Sequence, residues 1–207
     1  MSNLVRPSSV VIRVLSWTGP IHHFYSLMAL VVLLRGVNVG GHRRFRPSLL
    51  AHTLRRFEVV NIGAAGTFVV RRPGTRSGFR AALSRALPTA TDIVLFDGAE
   101  LRQLEHIRPF GFEPAKHDVV RFVSFLSRRS RNHPPLPIQL PEGDEWLVRV
   151  VARTDRFVFG EYRRHMRTIS HLGRLDKLFG VPVTTRNSNT VESIVRVLGD
   201  RRRGLSP

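Results

Sequence analysis

The order of apolar patterns along this 207-residue chain predicts an α+β protein, with a ferredoxin-like β-α-β-β-α-β subdomain packed on a second, smaller α+β subdomain. Three observations carry that reading. Met28 to Leu34 is apolar on both faces, as a central strand covered on both sides must be. Two later segments repeat their apolar residues at helical spacing. Between them lie two short strand-like runs joined by Gly63-Ala64-Ala65-Gly66, a hairpin-type connection.

Each element of the first subdomain follows from its residues. After the first strand, Pro47 suits a first helical position, and Leu50, Leu54 and Phe57 recur at i, i+4, i+7. Glu58 to Ile62 and Thr67 to Arg71 are the paired strands. Phe79, Ala82, Leu83, Ala86 and Leu87 mark one face of a second helix, which Pro88 stops. Asp92 to Phe96 supplies the fourth strand. The first strand is apolar on both faces, so the sheet face opposite the helices is expected to be covered by the rest of the chain. Asp97-Gly98-Ala99-Glu100 has the form of a capping box at the head of a helix with Leu101 and Leu104.

Phe110-Gly111-Phe112-Glu113-Pro114 reads as a linker, which sets the boundary near residues 108–117. Beyond it, Asp118 to Leu126 is strand-like, and a basic, proline-rich loop runs from Arg128 to Pro137. Trp146, Val148 and Val150 alternate with Leu147, Arg149 and Val151 along another strand. Arg156 to Tyr162 pairs with it across a Thr154-Asp155 turn. Leu172, Leu175 and Phe179 form a short helix ended by Gly180 and Pro182. Asn187 to Asn189 cap a last helix carrying Val191, Ile194, Val195 and Leu198. The expected domains are therefore 28–107 and 117–198. Residues 1–27 are a disordered leader or follow a start codon upstream of Met28, and 199–207 form a basic tail.

Composition narrows the function without naming it. The formal net charge is +18, which attracts polyanions. Of 33 Lys and Arg residues only Lys116 and Lys177 are lysine, a skew that a GC-rich coding sequence gives without selection for binding. A dispersed basic surface and a dedicated polyanion site both remain open. The absence of cysteine excludes disulfides, thiol catalysis and Cys-ligated zinc. The longest apolar run, Leu27 to Leu34, is far short of the roughly 20 residues a bilayer span requires. A cytoplasmic protein with no membrane partner is expected.

The most informative stretch is Leu33-Leu34-Arg35-Gly36-Val37-Asn38-Val39-Gly40-Gly41. A buried strand ends there in an Arg, an Asn and three glycines, on a loop able to adopt positive φ. The spacing is not that of a dinucleotide fingerprint, and no Gly-Lys-Ser/Thr follows to make a P-loop. Two readings stand: a turn in which Asn38 bonds its own backbone, or an anion site built from Arg35, Asn38 and backbone N–H groups. Arg186 and Asn187 face the same choice. Asn187 suits a helix N-cap, and Arg186 can pair with Glu192 or Asp176. Alternatively Arg186 joins Arg35 in a cleft between the subdomains and clamps a phosphate or carboxylate.

Other chemistries find less support. Gly66-Thr67-Phe68-Val69-Val70 is a poor base-stacking platform, with Phe68 its one aromatic and none in the first strand. The nine histidines offer no pair at metal-binding helical spacing beside a carboxylate, and no Gly-x-Ser-x-Gly elbow exists. Asp97, Glu100 and Glu105 read as capping and surface residues. No metal site and no cofactor are expected, and no catalytic group is identified.

Two blocks resemble a known family. Leu33-Leu34-Arg35-Gly36-Val37-Asn38-Val39-Gly40-Gly41-His42 resembles the opening of DUF1697, a family of uncharacterised bacterial proteins. Thr184-Thr185-Arg186-Asn187-Ser188-Asn189-Thr190-Val191 is similar to its closing block, T-x-R-N-W-N-T-V, so the resemblance covers about Met28 to Leu198. It implies two α+β subdomains, the first ferredoxin-like, and no reaction. The chain departs from the pattern at Ala65-Gly66-Thr67, where the family has Ser-Gly-Asn, and at Ser188, where it has Trp. Gly173-Arg174-Leu175-Asp176-Lys177-Leu178 is an imperfect G-x-S-K-L.

The sequence thus points first to a non-catalytic binding protein for an anionic ligand, nucleic acid or a phosphorylated metabolite. Arg35, Asn38, Gly40, Gly41, Arg186 and Asn187 would bind it at an inter-subdomain cleft. The alternatives are an enzyme acting on a small phosphorylated substrate and a structural or regulatory interaction protein.

Overall fold

A computed structural model describes residues 29–37, 45–87, 91–111 and 115–200. The leader, Asn38, Gly40, Gly41 and the end of the basic tail lie outside the described residues. The protein is α+β with antiparallel sheets, and it divides into two compact units. One comprises 29–107 together with 189–200, and the other is Arg108–Ser188.

In the N-terminal unit the continuous apolar run becomes β1 (Leu30–Arg35). It is followed by α1 (Pro47–Thr53), β2 (Val59–Asn61), β3 (Thr67–Val70), α2 (Arg76–Ala86), β4 (Asp92–Asp97) and α3 (Gly98–Arg102). The strands order as β2-β3-β1-β4, every pair antiparallel. Side chains alternate across a strand, so Leu30, Val32 and Leu34 enter one core with Leu50 of α1, Leu54 just past its end, and Phe79, Ala82 and Leu83 of α2. Val31 and Leu33 enter the opposite face and are equally buried. The β2–β3 turn needs glycine at Gly66, where φ is +68°. A Cβ there would stand 2.9 Å from Leu34 Cβ and 2.7 Å from Val37 Cγ2.

The C-terminal unit holds β5 (Val119–Leu126), β6 (Ile138–Leu140), β7 (Val148–Arg153), β8 (Phe157–Arg163), α4 (Thr168–Gly173), α5 (Leu175–Phe179) and β9 (Val183–Asn187). Its sheet orders as β6-β7-β8-β5-β9, again wholly antiparallel, with an irregularity between Val150 and Ala152. Phe122, Leu126, Val148, Val150 and Val158 share one core with Leu175 and Phe179 of α5. Gly180 ends α5 in the left-handed conformation (φ 65°), as its sequence position suggests.

The last helix, α6 (Ser188–Gly199), follows β9 directly, yet from Asn189 onward it groups with the N-terminal unit. Leu198 Cδ2 stands 3.0 Å from the position of a Cβ on Gly98, beside Ala29. The final carbonyls of α6, which have no partner within a helix, accept from arginines of this unit. Arg71 Nη2 donates to Val197 O (3.4 Å) and Arg102 Nη2 donates to Leu198 O. Both cations also sit at the negative end of the helix dipole.

Two local expectations change. The capping box does not form at α3, because Asp97 makes no cap hydrogen bond and instead accepts from Arg76 Nη1 at 2.7 Å. The guanidinium offers a charge-assisted bond that outcompetes a single N–H. The helix expected around Leu172 to Phe179 is two short helices, α4 and α5.

Gly160 of β8 marks the tightest approach in the C-terminal sheet. A Cβ there would lie 2.4 Å from Arg149 O and 2.5 Å from Phe122 Cζ. Gly160→Ala is expected to cost about 3 kcal/mol, because backbone or a buried ring must move. Denaturant unfolding followed by tryptophan fluorescence measures it, and a wild-type midpoint would contradict the packing.

Candidate functional site

Arg35 is the last residue of β1, and its register places it opposite Asp92 at the start of β4. Arg35 Nη1 and Asp92 Oδ2 are 3.8 Å apart, with 34% of the arginine side chain and 73% of the aspartate side chain exposed. A long, solvated pair of that kind is worth less than about 1 kcal/mol, so Asp92 holds Arg35 only loosely. Gly36 follows at φ +73° with nothing within 4 Å of a would-be Cβ, so the backbone and not crowding calls for glycine. Arg35 is thus carried at the mouth of the glycine loop by a strand buried on both faces.

Arg186 and Asn187 lie in the other unit, on β9. Among the described residues this strand pairs with β5 alone, in the register Val123 to Arg186 and Phe122 to Asn187. On one face Thr185 Oγ1 meets Ser124 Oγ at 2.7 Å. Arg186 falls on the opposite face by alternation, and its Nη1 donates to Thr185 O at 2.8 Å. Burial lowers the Arg186 pKa to about 10, because a charged guanidinium loses water there. It is still a cation at neutral pH. Asp176, one of the partners expected for Arg186, accepts from Val183 N with Oδ1 (3.1 Å). Asn187 is exposed and immediately precedes the first residue of α6.

Sequence reasoning missed an ionic row across the C-terminal sheet. Glu161 of β8 sits opposite Arg149 of β7 and Arg121 of β5. Its carboxylate takes a 2.6 Å bond from Arg149 Nη2 and a 3.5 Å bond from Arg121 Nε. Glu161 is 6% exposed, which a carboxylate tolerates only when paired. Aromatic rings back the cations. Arg121 lies 4.5 Å over Phe110, while Arg149 and Arg163 lie 4.7 and 4.6 Å over Trp146. The signal was one acid in the otherwise apolar run Phe157 to Tyr162, but only the strand register shows which bases face it.

Among the described residues no three His, Asp or Glu side chains gather to hold a metal ion. No helix among them is long and apolar enough to cross a membrane. The family described as "Protein of unknown function (DUF1697)" matches residues 28–137, which includes the opening block through Arg35 and stops short of the block around Arg186. No curated protein matches the chain, and no solved structure does.

The ionic row makes a direct prediction. Glu161→Gln removes the charge that two arginines share while keeping the shape. It is expected to destabilise the chain by about 2 kcal/mol, below the full cost of breaking a buried pair because both arginines are partly solvated. Urea denaturation measures the loss, and an unchanged midpoint would show that the row contributes nothing.

Proposed function

The chain belongs to the DUF1697 family, and we propose that it is a non-catalytic binding protein for an anionic ligand, nucleic acid or a phosphorylated metabolite. In this reading Arg35, followed by Asn38, Gly40 and Gly41, is one anion contact, and Arg186 with Asn187 is another. The observation that carries it is the desolvated Arg186 guanidinium, a cation at neutral pH with a pKa of about 10. Partial burial of a cation strengthens its Coulomb attraction for an incoming anion over what it would be in water. The formal charge of +18 adds long-range steering toward a polyanion.

We read the N-terminal unit as ferredoxin-like. The antiparallel order β2-β3-β1-β4 supports this, with α1 between β1 and β2 and α2 between β3 and β4. In that reading Arg35 leaves a central strand and is fixed by the most buried element of the unit.

Binding of labelled single-stranded RNA and duplex DNA across a salt series tests the proposal, with calorimetry on a nucleoside triphosphate for the metabolite arm. Arg35→Ala and Arg186→Ala are each expected to weaken binding by roughly fivefold or more and to flatten the salt slope by about 1. Wild-type affinity and slope in both variants would make the charge a diffuse surface property and sink the site.

A further inference from the structure

Among the described residues each sheet ends in strands whose outer backbone groups have no neighbouring strand, and such edges invite pairing with another chain. The edges here are β2 and β4 in one sheet and β6 and β9 in the other. β2 and β6 are only three residues long. β2 is preceded by Glu58 in a left-handed conformation (φ 51°), and β6 lies between Pro137 and Pro141, which have no N–H to offer. On β9 two open-edge groups are engaged by the chain itself, Val183 N by Asp176 and Thr185 O by Arg186. β4 is the longest of the four, with six residues.

The hydrogen-bond parity of β4 is fixed by its last partner. Gly98 N donates to Ala29 O (2.7 Å), so Phe96 and Val94 direct their backbone groups at β1. Ile93, Leu95 and Asp97 therefore direct theirs at the open edge. Two of those three positions are met by arginines from α2. Arg76 Nη2 donates to Leu95 O (2.6 Å) and Arg80 Nη1 donates to Ile93 O (3.2 Å). Arg76 Nη1 also holds the Asp97 carboxylate at 2.7 Å. The match is geometric: four helical residues rise about 6 Å and two strand residues about 6.7 Å, so a helical i, i+4 pair spans successive outward carbonyls.

We infer that Arg76 and Arg80 hold the β4 edge closed against a second copy of this chain. An incoming strand must donate its own N–H groups to Ile93 and Leu95, and both acceptors already carry a charged donor. The guard lies in exposed side chains, since Arg76 is 47% exposed, and it adds to the barrier without filling the core.

Sedimentation equilibrium on the full chain tests this. Arg76→Ala/Arg80→Ala is expected to self-associate at least tenfold more tightly than wild type. The charge-matched control Arg131→Ala/Arg167→Ala, which removes two exposed cations elsewhere, is expected to behave as wild type. Arg76→Lys/Arg80→Lys, which keeps a charged donor at each position, should also remain close to wild type. Equal association of the double alanine variant and wild type would overturn the inference, as would equal association of the charge-matched control. If circular dichroism shows the double variant misfolded, Arg80→Ala alone carries the same comparison. It opens only the Ile93 carbonyl and leaves the Arg76–Asp97 pair intact, so a smaller shift in the same direction supports the guard and none overturns it.

Discussion

The N-terminal unit depends on one constraint: β1 is apolar on both faces and cannot tolerate water on either. A strand of that kind has to be central, and β3 and β4 flank it. It must also be covered twice. One face receives α1 and α2, with Leu30, Val32 and Leu34 buried in their shared core. The other face carries Val31 and Leu33, both fully buried, in the unit to which α6 returns with Val191, Ile194, Val195 and Leu198. The arginines at the end of α6 follow from the same demand. A helix brought back from the far end of the chain presents unsatisfied terminal carbonyls, and Arg71 and Arg102 meet them.

How much of this was legible in the sequence depended on whether a pattern was local. The Met28 to Leu34 run, the Phe79-Ala82-Leu83 face and the alternation through Val148 and Val150 each state their element within a few residues. β9 was not legible, because Thr184, Thr185, Arg186 and Asn187 lack apolar alternation and read as a helix approach. Its strand character comes from the ladder it makes with β5. β6 is too short between its prolines to make a pattern. The amphipathic spacing of α6 announced a helix and one buried face, but a hydrophobic stripe does not say which surface will cover it. Sequence order suggested the neighbouring second subdomain; the helix groups instead with the first.

The candidate site was legible to a different degree. Arg35 stood out because a buried strand ended at a glycine loop, and it does leave the central strand half-exposed. Arg186 stood out through a motif, while the burial that lowers its pKa follows from the fold and not from the motif. The Arg121–Glu161–Arg149 row was invisible because each arginine is 40 or 12 residues from Glu161 in sequence and meets it only through strand register. Register is set by long-range pairing that no single segment encodes.

These arginines also separate two uses of charge that composition alone merges. Arg76 and Arg80 take carbonyls of an edge strand, Arg71 and Arg102 take helix-end carbonyls, and Arg121 and Arg149 share a carboxylate. Six arginines thus have an internal job that the planar, many-donor guanidinium suits better than a lysine ammonium would. The chain's preference for arginine is therefore physically useful to its own architecture, whatever its coding origin. A basic surface is partly the by-product of that use, so net charge overstates the cations left to meet an outside anion. Each cation has therefore to be weighed by its own setting, Arg35 at the end of β1 and Arg186 on β9 among them, rather than by the total.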